Sequence, residues 1–206
     1  MRLLEIDKPN ELTQTIKTIT RECSESLKIM RAVKCPLYRG IDEYDFQLKP
    51  ASAIRLTSPV KRKPTGMSFG MQKFTDYCLK KVGSTALRSN SICCTGHMDS
   101  ADSFGVIYCI FPVNGFSFAW SPKIWDFGGE GQLDSKWKML DEIHMTAKID
   151  PYEAIENEKM VKWYLNYAKF DTTNFAKAIK SRNEIMIHGD YYMTHDIVGK
   201  QIIGIK

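Results

Sequence analysis

Three short segments carry side chains whose types and order could do chemistry on a phosphorylated sugar. In Leu37-Tyr38-Arg39-Gly40 an arginine stands at a strand end before a glycine. A guanidinium fork beside unobstructed backbone suits a diphosphate, which arginine grips through two parallel hydrogen bonds. In Cys93-Cys94-Thr95-Gly96 a strand ends on a hydroxyl, and Asp99 to Phe104 follows as a short helix ended by Gly105, with Ala101 and Phe104 turned inward. The hydroxyls there can orient another polar group. In Glu184-Ile185-Met186-Ile187-His188-Gly189 a carboxylate opens a strand whose other face is apolar. A carboxylate beside a ribose can bind its hydroxyl and stabilise an oxocarbenium-like transition state. Taken singly, each segment has an ordinary alternative: a strand-end salt bridge, a helix capped by Asp99, and a solvent-facing strand glutamate.

The elements that must position these groups follow from periodicity. Leu12, Ile16, Ile19, Cys23, Leu27 and Met30 are spaced three and four apart and predict one amphipathic helix over 11–33, with Asn10 as N-cap and Cys35-Pro36 as its stop. Residues 58–66 (SPVKRKPTG) read as a loop, and Phe69 to Lys81 as a helix stopped by Gly83. Ser91 to Cys94 and the apolar run Val106 to Val113 read as strands, and Asn114-Gly115 signals a hairpin into a strand over Phe116–Trp120. Gly128-Gly129-Glu130-Gly131 reads as flexible and Lys136 to Met145 as an ambiguous helix. Helices are expected over Tyr152–Tyr167 and Thr173–Lys180, and strands over Asn183–His188, Tyr191–Thr194 and Lys200–Lys206. Early helices with scattered strands and no βαβ alternation predict an α+β fold. No Gly-rich dinucleotide fingerprint, phosphate loop or nucleophile elbow occurs.

The 206 residues suit a single domain, 1–206, with 1–35 as an N-terminal helical segment. With 43% apolar and 26% charged residues the chain has the balance of a soluble globule. No apolar run approaches the roughly 20 residues of a membrane helix, and the N-terminus lacks a secretory pattern, so a cytoplasmic location without membrane contact is expected. Six cysteines form no CxxC pair, so reduced, mostly buried thiols are expected rather than a metal site. His97, His144, His188 and His195 are scattered, and none pairs at HxxxH spacing. The net charge of +5 is compatible with a polyanionic partner without demanding one.

Taken together and in order, the three segments resemble the ADP-ribosyltransferase superfamily, in its toxin-like branch with an Arg, Ser-Thr-Ser, Glu signature. Small phage-encoded members and toxins of phage-defence systems look most similar. The resemblance implies a split β-sandwich of two small sheets with N-terminal and peripheral helices. It implies NAD as substrate: Arg39 on the diphosphate, Gly40 receiving the nicotinamide amide, and Cys93, Thr95 and Phe104 lining the cofactor site. Thr95 is implied to orient the ribose and help place Glu184, the catalytic carboxylate, and either Trp125 or Phe127 to stack on the nicotinamide. ADP-ribose would pass to a macromolecule, with nucleic acid (RNA) favoured over protein. Water as acceptor (NAD glycohydrolase) and a non-catalytic module binding RNA or a protein are the alternatives. A neutralising antitoxin is an implied partner, and no metal is implied. Two positions depart from the pattern. Cys93 stands where a serine is usual. Arg182, two residues before Glu184, stands where arginine-modifying members carry glutamate, and a cation there suits an anionic acceptor. Lys61, Arg62 and Lys63 either extend such a track or form a solvated basic loop.

Overall fold

The computed structural model describes residues 3–4, 9–42, 48, 52–64, 67, 69–127 and 155–205. Strands are β1 (Leu3–Leu4), β2 (Leu37–Ile41), β3 (Ala53–Thr57), β4 (Ile92–Cys94), β5 (Val106–Pro112), β6 (Ser117–Trp120), β7 (Ile185–His188) and β8 (Asp190–His195). Helices are α1 (Pro9–Glu22), α2 (Ser24–Val33), α3 (Phe69–Lys81), α4 (Met98–Asp102), α5 (Glu158–Ala168), α6 (Phe175–Lys180) and α7 (Asp196–Ile203). The fold is α+β, with two small antiparallel sheets: β1-β3-β8-β5-β2 and β4-β7-β6. Among the described residues no helix is long and apolar enough to cross a membrane.

The smaller sheet is buried on both faces, and strand alternation explains how. Phe118, Trp120, Ile185 and Ile187 point into or against the main core shared with the larger sheet, α2, α6 and α7. Ala119 and Met186, one residue out of phase, point the other way into a second core built on α3 and α5. There the Phe74 and Tyr164 rings meet at 5.2 Å.

Several expectations are corrected. The 11–33 helix is two, because Cys23 leaves helical geometry (φ −112°, ψ 25°). The apolar stripe survives: Ile19, Cys23, Leu27 and Met30 are all buried. Pro9 and Asn10 lie inside α1 rather than capping it, in keeping with the tolerance of a first helical turn for proline. Asn114-Gly115 is a turn but not a hairpin, since β5 and β6 belong to different sheets. The turn is instead plugged into the α1–α2 junction. Asn114 N–H donates to the Glu22 carbonyl at 2.7 Å, and Asn114 Oδ1 accepts from Glu25 N–H at 3.0 Å. Likewise β8 does not fold back on β7. Gly189 (φ +122°) carries the chain from the small sheet to the large one, a backbone conformation that favours glycine. A Cβ at Gly189 would lie 3.5 Å from the Phe116 Cα, so the two crossovers lie side by side. The strand expected over Lys200–Lys206 is the helix α7, whose Val198, Ile202 and Ile203 are buried and whose end is Gly204 at φ +81°. β3 had no counterpart in the sequence reading. The expected helix over Lys136–Met145 lies outside the described residues.

Candidate functional site

The two sheets meet at one backbone bridge, and the candidate site forms there. Tyr38 N–H donates to the Thr95 carbonyl at 2.7 Å and Thr95 N–H to the Tyr38 carbonyl at 2.9 Å, tying β2 to the end of β4. Arg39 therefore stands beside Thr95 although 56 residues separate them in sequence. Gly40 makes the junction possible, because a Cβ there would fall 1.9 Å from the Ala101 carbonyl oxygen. Its absence lets α4 lie against β2, with Ala101 buried and the Phe104 Cβ close to Gly40. Phe104 is not inward as expected but 61% exposed. Asp99 is likewise not the cap of α4: His97 holds that position, and Asp99 lies in the first turn.

Arg39, Gly40, Cys93, Thr95, Phe104 and Glu184 line one cavity of about 230 Å³, together with Arg62, Arg88, Trp125, Asp126 and Arg182. Arg39 donates through Nη1 to the Cys93 carbonyl at 3.3 Å. Its Nε is buried without a partner. An unsatisfied buried donor of this kind costs about 1–3 kcal/mol.

Glu184 precedes β7, and its N–H donates to the Trp125 carbonyl at 2.8 Å. One carboxylate oxygen pairs with the Arg88 guanidinium, both side chains being nearly inaccessible. The other accepts from Phe127 N–H at 3.0 Å. Burial pushes this carboxyl upward, but Arg88, the Cys93 thiol and the Phe127 N–H outweigh it, and Glu184 is held ionised below its ordinary range. Arg88 balances the same way: burial works against its charge, and Glu184 more than restores it. The Cys93 sulfur sits among these groups, accepting from Arg62 Nη1 and, at 3.6 Å, from Arg88 Nη1. Burial, then Glu184, pushes the Cys93 thiol up, so it stays protonated and able to donate.

The Thr95 hydroxyl does not reach Glu184. It donates to the Arg182 carbonyl at 3.4 Å and accepts from His97 N–H at 3.1 Å, fixing the backbone before β7. Of the two aromatic alternatives, Trp125 lines the cavity at 45% exposure, whereas Phe127 is core, stacked on Phe170 at 5.8 Å. Arg182 is exposed at the rim.

Arg88 and Asp126 are the charged lining residues that sequence reasoning missed, while Arg62, expected only in a polyanion track or a solvated basic loop, reaches into the cavity. Arg88 lies in the connection between α3 and β4, fixed by its own N–H to Asp76 Oδ1 at 2.7 Å. Asp76 is itself buried in α3, a polar residue on an apolar face, and that misplaced carboxylate was the available signal. All six cysteines are free thiols. No protein-family model, curated protein or solved structure matches this chain.

Proposed function

We propose that the chain is a mono-ADP-ribosyltransferase that breaks the nicotinamide–ribose bond of NAD at this cavity and passes ADP-ribose to a macromolecule. The observation that carries the reading is the convergence, from different sheets, of Arg39 with an unspent buried donor and Glu184 held as a buried carboxylate. The pairing of two sheets through Tyr38 and Thr95 is the arrangement the split-sandwich family would need.

On this reading Arg39 takes the NAD diphosphate and the Gly40 backbone receives the nicotinamide amide. The exposed Phe104 ring lines the cofactor site. Glu184 accepts from the ribose 2′-hydroxyl and stabilises the positive charge that develops at C1′. Cys93 takes over the serine's part by donating to Glu184, while Thr95 acts on the backbone that carries Arg182. The C1′–N bond breaks with its electron pair going to nicotinamide, which leaves neutral. A lone pair of the acceptor forms the new bond to C1′, and the acceptor's proton passes to water. Contacts that strengthen as the charge develops are the ones that raise the rate.

The test uses labelled NAD and a whole-cell lysate, with Glu184→Gln beside the wild type. Removing one preorganised partner of a developing charge costs about 10²–10³ in rate, so the variant should lose transfer while its thermal midpoint shows that it still folds. Wild-type protein that neither releases nicotinamide nor labels a macromolecule, or a folded Glu184→Gln variant with full activity, overturns the proposal.

A further inference from the structure

We infer that the rim of this cavity on the Glu184 side is a docking surface for single-stranded nucleic acid, which is the acceptor. This deepens the proposed transferase and rests on it only for the covalent step. The Asn183 side-chain amide donates to the Ser121 carbonyl at 2.7 Å, and Glu184 N–H donates to the Trp125 carbonyl at 2.8 Å. Those two bonds clamp the 121–127 segment against 182–184. They bring exposed Arg182 and the 45% exposed indole of Trp125 to the same cavity as the Glu184 carboxylate. A third strip adjoins them. Arg62 N–H bonds the Ser89 carbonyl, which holds the Lys61-Arg62-Lys63 loop beside Arg88 with Lys61 and Lys63 exposed.

Among the described residues none of Lys61, Arg62, Lys63 and Arg182 has an ion-pair partner. With Arg88 matched to Glu184, the cavity retains Arg39, Arg62 and Arg182 against Asp126 alone. Unpaired cations around an accessible aromatic are the combination that holds a single strand: phosphates are neutralised by the cations, and a base stacks on the ring. Among the described residues, a cationic acceptor finds clustered acidic residues in the groove beyond Phe104. That groove is lined by Asp42, Asp102 and Asp196 and does not include Glu184. An acceptor must approach C1′ where the carboxylate acts, so the basic, aromatic side decides its class. A nucleophilic atom of the strand then forms the bond to C1′ as nicotinamide departs, and its proton goes to water.

The experiment first leaves NAD out. A fluorescein-labelled single-stranded RNA of about 12 nucleotides is titrated with the protein, and anisotropy is followed over increasing salt. Neutralising about three phosphates predicts a log–log salt slope near about −2. Arg182→Glu, and Lys61→Glu combined with Lys63→Glu, should flatten that slope and weaken binding by about tenfold at low salt. Trp125→Ala should weaken it by at least about fivefold at every salt concentration. All four side chains are exposed, and unchanged circular dichroism confirms folding of each variant. No wild-type binding, or variants that bind as wild type does, overturns the inference. Labelled NAD is then added to the RNA and, separately, to lysate. Label on the RNA supports the inference, whereas label that only protease removes replaces nucleic acid with a protein acceptor. RNA binding without any nicotinamide release leaves the surface standing and sinks the transferase reading. Nicotinamide release without RNA binding does the reverse.

Discussion

Replacing Arg88 by methionine tests the electrostatics of the site more sharply than any other change. Methionine keeps an unbranched apolar stem but removes the charge from a buried partner of a buried carboxylate. In the native protein the guanidinium is 4% and the Glu184 side chain 11% exposed. Breaking such a pair costs about 3–5 kcal/mol, because the remaining charge is stranded. Against a total stability of about 5–15 kcal/mol that is a large fraction, and for a chain of this size it corresponds to a fall in Tm of about 6–20 °C. The Phe127 N–H and the Cys93 thiol still serve Glu184, so the lower part of the range is the reasonable expectation. The pH dependence gives the signature. In the wild type the Glu184 pKa lies below its ordinary 4.5. Its stabilising contribution is therefore fully present above that value and is lost as pH falls through the depressed one. Without Arg88, burial prevails and the pKa rises above 4.5. The sign then reverses: the protonated form fits the site, and stability is lost as pH climbs through the raised value. Urea unfolding of both proteins at about pH 5 and about pH 8 should show a gap that widens at the higher pH. A gap below about 1 kcal/mol, or one that does not change with pH, would refute the claim that Arg88 holds Glu184 ionised.

Gly40→Ala sets a Cβ 1.9 Å from the Ala101 carbonyl, so α4 must move. A loss of about 1–3 kcal/mol and of ADP-ribose transfer is expected by thermal melts and labelled NAD, and a variant with native Tm and activity would contradict the close approach. Cys93→Ser keeps a donor toward Glu184 and should hold stability within about 1 kcal/mol while retaining transfer. Cys93→Ala should slow it, and equal initial rates for the two would remove the thiol from the site. Glu184→Gln, as above, should abolish transfer in a protein that still folds.

The parts of the fold legible in the sequence were those fixed by local period and punctuation. The α3 stripe between a loop and Gly83 gave its bounds. The apolar run of β5 and the alternation in β7 gave those strands. The order of Arg39, Thr95 and Glu184 anticipated that they line one cavity. Pairing was not legible, because a turn signal says only that the chain bends. Asn114 and Gly115 bend it into the α1–α2 junction, and nothing local distinguishes that from a hairpin. The α7 helix was misread because its closing IIGIK resembles a strand, although Val198, Ile202 and Ile203 already follow helical spacing. Arg88 was invisible for another reason. Its role depends on a carboxylate 96 positions later, and no window of sequence contains both.

The interleaving of the two sheets decides when the cavity can be complete during synthesis. The small sheet draws its strands from residues 92–94, 117–120 and 185–188, and the large sheet closes only when β8 inserts between β3 and β5. A chain still on the ribosome can form helices, but neither sheet can close from an N-terminal fragment, and such long-range pairings form slowly. Glu184 meets Arg88 in the same late step that joins the sheets. A polypeptide that stops short of residue 184 therefore lacks the carboxylate, and the cavity on which the proposed transfer depends is complete only with the final strands.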